Sequence, residues 1–127
     1  MRYEFDTGAP VIVLRVTLEG EDIEKKMDMA LDTGATYTMV PWDIADVLGY
    51  EPGISKELVP MVTASGVERA PLISLKSLNM LGVTAHNIKA IVHDLPEKSY
   101  VDGLLGLSFL RRFKICLDFR EGILEIE

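Results

Sequence analysis

The sequence predicts an all-β protein carrying one or two short helices. Three observations support this: short apolar runs dominate, turn residues separate them at close intervals, and only two segments have helical spacing. The 127-residue chain is long enough to bury roughly two-thirds of its unfolded surface around one core, so residues 1–127 are expected to form a single domain. With 48% hydrophobic and 26% charged residues, its composition is that of a globular protein.

The elements follow in order. Val11 to Leu18 places Ile12, Leu14, Val16 and Leu18 on one face of a strand, and Glu19-Gly20-Glu21-Asp22 supplies a turn. Lys26 to Leu31 returns as a second strand, with Met27, Met29 and Leu31 on one side. Pro41 to Leu48 has proline at a helix start, apolar residues at helical spacing and Gly49 placed to end it. The runs Leu58–Val62, Leu72–Leu75, Leu78–Val83 and Ile88–Val92, divided at Ser65-Gly66, Asn79 and Pro96, suggest the hairpins of a meander. A second helix is expected over Phe109–Phe113. A last hairpin is expected from Ile115–Phe119 and Ile123–Ile126 around Glu121-Gly122.

Charge and cysteine content narrow the function. Thirteen basic against twenty acidic residues give a net charge of -7, which repels a phosphate backbone, so nucleic acid is not an expected partner. The first six residues lack a basic segment followed by an apolar one, and no stretch approaches roughly 18 uninterrupted apolar residues. The expectation is a cytoplasmic protein with no membrane partner. The single cysteine, Cys116, cannot form an internal disulfide, and between Ile115 and Leu117 it is expected to be a small buried hydrophobe. His86 and His93 stand seven residues apart without a third ligand in pattern, so no metal is expected.

The chemistry is concentrated in Met29 to Val40, where an apolar strand runs into Asp32-Thr33-Gly34-Ala35. A carboxylate there sits on a stiff scaffold. Gly34 permits a tight turn and a close approach by a second chain, and the Thr33 hydroxyl can both donate and accept. About 70 residues on, Asp102-Gly103-Leu104-Leu105-Gly106-Leu107-Ser108-Phe109-Leu110 joins an apolar pair, a glycine and a helix start.

These two segments, in this order, resemble the active-site turn and the second signature of the retropepsin and pepsin family of aspartic proteases. The resemblance extends over roughly residues 11 to 120. It implies a retropepsin-like closed β-barrel, active as a two-fold homodimer on peptide or protein substrates, with no cofactor. It also implies that Asp32 is the catalytic residue, that Thr33, Gly34 and Ala35 support the active-site loop, and that Gly103, Leu104, Leu105 and Gly106 form the strand threading that loop. Gly106 would let the backbones cross. A flap closing over substrate is assigned by the same resemblance to Val62–Val67, with Ala64, Ser65 and Gly66 at its tip.

Two departures stand out. Ala35 is followed by Thr36-Tyr37-Thr38 instead of the retroviral Asp-Asp-Thr, which removes substrate-facing carboxylates. Leu107 replaces the arginine after the second-signature glycine, so the retroviral dimer-stabilising ion pair cannot form, and dimer contacts are expected elsewhere, for instance in Ile123–Glu127.

Asp6-Thr7-Gly8 is a second literal copy of the triplet. It lies only 26 residues before Asp32, whereas a lobe needs on the order of 100 residues, so it is expected to be an ordinary turn. With one credible loop, the chain must supply the second carboxylate from another copy. Like charges that close cannot both ionise, so the pair is expected to share one proton and titrate as a unit. The rival readings are a non-catalytic homodimeric peptide-binding module of the same fold and a structural β-domain of unrelated fold.

Overall fold

A computed structural model describes residues 1–127. Strand β1 (Arg2–Glu4) is followed by β2 (Val13–Glu19), β3 (Glu24–Leu31) and β4 (Thr38–Val40), then helix α1 (Trp42–Val47) and a single 3-10 turn at Pro52–Ile54. The hairpin β5 (Leu58–Thr63) and β6 (Gly66–Met80) leads into β7 (Val83–Val92) and β8 (Gly103–Leu105). Helix α2 (Leu107–Leu110) and the strands β9 (Ile115–Asp118) and β10 (Ile123–Ile126) end the chain. No helix is long and apolar enough to cross a membrane.

Six strands close into a barrel in the order β2-β3-β8-β4-β7-β6, with β6 pairing back onto β2. Period-two patterning builds its interior: Leu14, Val16 and Leu18 from β2 and Met27 and Met29 from β3 are all buried. They meet Leu75, Leu78, Ile88, Leu105 and Phe109 in one core cluster. A separate three-stranded sheet, β1-β10-β9, covers one side of the barrel and contributes Leu124 and Ile126 to that core.

The barrel is not a plain meander. β8 enters parallel to β3 and antiparallel to β4, and β4 lies parallel to β7, so the late strand passes between two early ones. The result is a closed β-barrel with two short helices, the architecture that the sequence resemblance implies.

Several boundaries depart from the sequence reading. Leu72–Leu75 and Leu78–Met80 belong to one 15-residue strand, and the chain turns at Leu81-Gly82, both at positive φ, instead of at Asn79. Asn79 stays in register opposite Thr84, to whose hydroxyl its side-chain amide donates at 2.7 Å, so cross-strand pairing supersedes its turn preference. Helix α2 starts two residues earlier than expected and stops at Leu110; the extended Gly106 caps it, and the Leu107 and Ser108 N–H groups bond the Ala35 and Thr36 carbonyls of the Asp32 loop. Cys116 is exposed: its neighbours Ile115 and Leu117 take the inward positions of β9, and strand alternation turns the thiol outward. The short β1 carries no strand pattern of its own and forms by adding to β10.

Candidate active site

Strand β3 delivers Asp32 to the end of the barrel. Leu31 N–H donates to the Ile12 carbonyl at 2.9 Å, and Asp32 N–H donates to the Leu105 carbonyl at 3.0 Å, which ties both sides of the residue to strands. The carboxylate Oδ1 accepts the Gly34 N–H at 2.9 Å. A side chain at position 34 would crowd that oxygen, since its Cβ would lie 3.2 Å away. The loop therefore fixes one oxygen of the carboxylate through a backbone hydrogen bond.

The threading strand holds the loop from below. Leu107 N–H donates to the Ala35 carbonyl at 2.8 Å and Ser108 N–H donates to the Thr36 carbonyl at 3.0 Å. Gly106 lies so close to the loop that an added Cβ would sit 2.5 Å from the Tyr37 carbonyl carbon and 2.9 Å from the Ala35 oxygen. Gly103 is equally confined, against the Met39 carbonyl and 2.9 Å from the Met29 methyl. Leu104 and Leu105 pair with Ala30 and Leu31 along β3.

Thr38 and Ser108 complete this clamp, and neither stands out in the sequence. Thr38 is fully buried. Its N–H donates to Ser108 Oγ at 2.8 Å, while its Oγ1 accepts from Gly106 N–H at 3.2 Å and from the Ser108 hydroxyl at 3.1 Å. One threonine thus joins β4 to the start of α2, at the end of the loop that carries Asp32. A polar residue at an inward strand position, between Tyr37 and Met39, is the signal that could have found it.

Above the loop is a cavity of about 350 Å³, lined by Asp32, Gly34, Tyr37, Met39, Val59, Met61, Ile91 and Leu104 among others. Asp32 is the one carboxylate in that lining. The β5–β6 hairpin roofs it. Ala64 and Ser65 form the exposed hairpin turn, with Gly66 at φ +122°, but the lining comes from the β5 arm, Val59 to Val62, and not from the tip. Val62 and Val67 flank the tip, 87% and 71% exposed, so the end of the hairpin packs on nothing within the chain.

Thr33 is turned away from the cavity. With Leu31, Leu107, Phe113, Ile115 and Leu117 it borders an apolar groove of about 250 Å³ on the barrel's flank. Asp6 repeats the local geometry of Asp32, its Oδ1 accepting the Gly8 N–H at 2.9 Å, yet it lies in the exposed β1–β2 connection against the Glu121-Gly122 turn. The structure does not bring it into the site.

Comparisons with known proteins agree with this architecture. The family model described as "gag-polyprotein putative aspartyl protease" matches residues 15–112. The chain is 33% identical over 95 residues to an uncharacterized protein in the cobV 5' region of Sinorhizobium sp, an alignment spanning 74% of this chain and 38% of that relative. A retropepsin-like aspartic protease from Rickettsia conorii, known from its crystal structure, superposes with a TM-score of 0.72 at 26% identity, covering 100% of this chain and 97% of the other. A matched segment that runs from β2 through α2, on a barrel threaded by β8, makes this chain a member of the gag-polyprotein aspartyl protease family with the retropepsin-like fold.

Proposed function

We propose that the chain is an aspartic endopeptidase that hydrolyses peptide bonds with water activated between the Asp32 residues of two identical subunits. The observation that carries this reading is a single rigidly held carboxylate at the floor of a roofed cavity. Chemistry of this kind needs an acid and a base side by side, and one chain supplies one group.

Two-fold pairing of the loops would set the two carboxyls close enough to share a proton. The ionised member takes a proton from the attacking water. The protonated member donates to the carbonyl oxygen of the scissile bond and then, as the tetrahedral intermediate collapses, a proton passes to the leaving nitrogen. The Gly34 N–H holds Oδ1 throughout, so only the outer oxygen need move a proton. Tyr37, Met39, Met61, Ile91 and Leu104 give the cavity an apolar wall, suited to a large apolar side chain next to the scissile bond. The hairpin arm excludes water from that bond.

Digestion of a denatured protein mixture across pH, wild type beside Asp32→Asn, tests the reading. Cleavage should fall by at least about 10³-fold in the variant, the scale of a lost acid–base pair. A wild type that cuts nothing, or a variant that cuts as well, refutes it.

A further inference from the structure

The β5–β6 hairpin is tied to the barrel at two places, one apolar and one charged. β6 pairs with β7 from Leu72, opposite Ile91, to Met80, so Leu58 to Pro71 extend beyond that ladder as a two-stranded arm. The arm rests first on an apolar cluster in which Met39, Ala70 and Ile91 are buried and Val59, Met61 and Leu104 pack around them. Two residues nearer the tip than Ala70, Oε2 of Glu68 stands 3.8 Å from Nε2 of His93. Past that contact Val62 and Val67 are exposed.

Both charged residues lie on the cavity side. Cross-strand partners share a face, and Glu68 is opposite Met61 as Ala70 is opposite Val59, the two β5 residues that pack into the cluster. His93 follows the cluster residue Ile91 by two positions and continues β7, its N–H donating to the Val40 carbonyl at 3.0 Å. The histidine is thus anchored to the barrel while the glutamate rides on the arm. Neither side chain has another ion-pair partner. The other charged groups nearby are engaged elsewhere or turned away. Asp94 Oδ1 accepts the Trp42 N–H at 3.0 Å, and Asp94 and Glu97 border a separate groove that His93 does not line. Arg69, opposite Pro60, takes the other face of the arm. Lys98, in the loop after β7, pairs with no carboxylate, and β4 ends in the uncharged Val40 and Pro41.

We infer that Glu68 and His93 are positioning residues that latch the arm over Asp32, and that the latch tightens when the His93 ring carries its second proton. Its effect on cleavage rests on the protease reading, whereas the contact itself lies within one chain and does not depend on how subunits meet. A neutral ring at 3.8 Å is too far away for a hydrogen bond, so without the second proton the pair attracts little. With it, opposite charges face each other across the gap between arm and barrel. Between about pH 8 and about pH 5.5 an ordinary histidine gains that charge while an ordinary carboxylate keeps its own. The two side chains are 31% and 49% exposed, and pairs that open to solvent shift an equilibrium by about two- to fivefold. The latch therefore biases the arm without locking it, and the balance moves toward the closed position as pH falls. A larger closed fraction strengthens apparent substrate binding and leaves the reacting atoms alone.

Oxidation of Met61 by dilute hydrogen peroxide, followed by mass spectrometry, reads lifting of the arm without any substrate. At about pH 5.5 Met61 should oxidise about two- to fivefold more slowly in the wild type than in His93→Gln, and at about pH 8 the two rates should match. Glu68→Gln should behave like His93→Gln, and the exchanged pair Glu68→His/His93→Glu should regain the slower rate at the lower pH. Comparison at one pH cancels the titration of Asp32 and His86, which all these proteins share. In digestion of a peptide at about pH 5.5, His93→Gln should raise KM by up to the same factor with kcat unchanged, whereas a merely structural role would show no such dependence on pH. Equal Met61 oxidation in wild type and variants at about pH 5.5, or a difference that persists at about pH 8, refutes the latch, and cleavage that still depends on Asp32 then keeps the protease reading. A pH-dependent difference in a protein that cleaves nothing leaves the latch standing and refutes the protease. An exchanged pair that folds yet oxidises like the single variants also overturns the latch.

Discussion

Replacing Gly106 with alanine adds a single methyl group where two backbones cross. Its Cβ would sit 2.5 Å from the Tyr37 carbonyl carbon and 2.9 Å from the Ala35 carbonyl oxygen, against an ordinary contact distance of 3.4 Å. Both neighbours are main chain, so no side chain can swing aside. The loop must retreat by about 1 Å, stretching the 2.8 Å bond from Leu107 N–H to the Ala35 carbonyl and the 3.0 Å bond from Ser108 N–H to the Thr36 carbonyl. Overpacking of this kind costs about 1–3 kcal/mol. At about 4 °C per kcal/mol this lowers Tm by about 4–12 °C. A shift of about 1 Å in a reacting group costs on the order of 10²-fold in rate. Gly106→Ala should therefore remain folded at room temperature and lose cleavage out of proportion to its stability. Gly53→Ala, where an added Cβ meets nothing within 4 Å, is the control and should change neither quantity. Thermal denaturation and digestion of a denatured protein read the two effects separately. Activity within about threefold of wild type, with Tm within about 1 °C, would refute the claim that this crossing sets the position of Asp32.

Thr38→Val removes the acceptor of the Gly106 N–H inside a fully buried clamp, at a cost of about 1–3 kcal/mol. Thr38→Val should also lower cleavage by loosening the loop; Thr38→Ser, which keeps the oxygen, should recover most of both losses, and urea denaturation together with digestion checks both halves. Tyr50→Phe should cost a similar amount in stability, because the hydroxyl donates to the Glu19 carbonyl at 2.8 Å and accepts from Lys76 N–H at 2.7 Å. Its cleavage should be unchanged, since Tyr50 lies outside the cavity. The Ser77 hydroxyl, then Lys76, lower the Glu19 carboxyl below its usual 4.5. A group whose value is lowered on folding adds stability that is present above 4.5 and fades as pH falls through the lowered value. Glu19→Gln should therefore flatten the fall of Tm on acidification below 4.5, and an unchanged slope counts against the bond.

The barrel strands were legible because each buries one face. Ile12 to Leu18 and Met27 to Leu31 alternate, and burial follows that alternation except at the strand ends. Where local preference and pairing disagree, pairing prevails: Asn79, by type a turn residue, stands in a ladder, and Cys116, by type a buried one, faces outward. Thr38 was hidden for a different reason. Its partners Gly106 and Ser108 lie about 70 residues away in sequence, and a threonine within a run shows nothing of what its hydroxyl will meet.

The two copies of Asp-Thr-Gly separate the sequence's part from that of the tertiary structure. Asp6 and Asp32 each accept the N–H of the glycine two residues on at 2.9 Å, because such a turn involves no atoms beyond the triplet. Only Asp32 has its own N–H held by the Leu105 carbonyl and its loop bonded to the start of α2, so only there does the held carboxylate line a cavity. A turn is specified within three residues. A candidate active site here needs β8 threaded between β3 and β4, a contact across some 70 positions that the packing of the whole barrel decides.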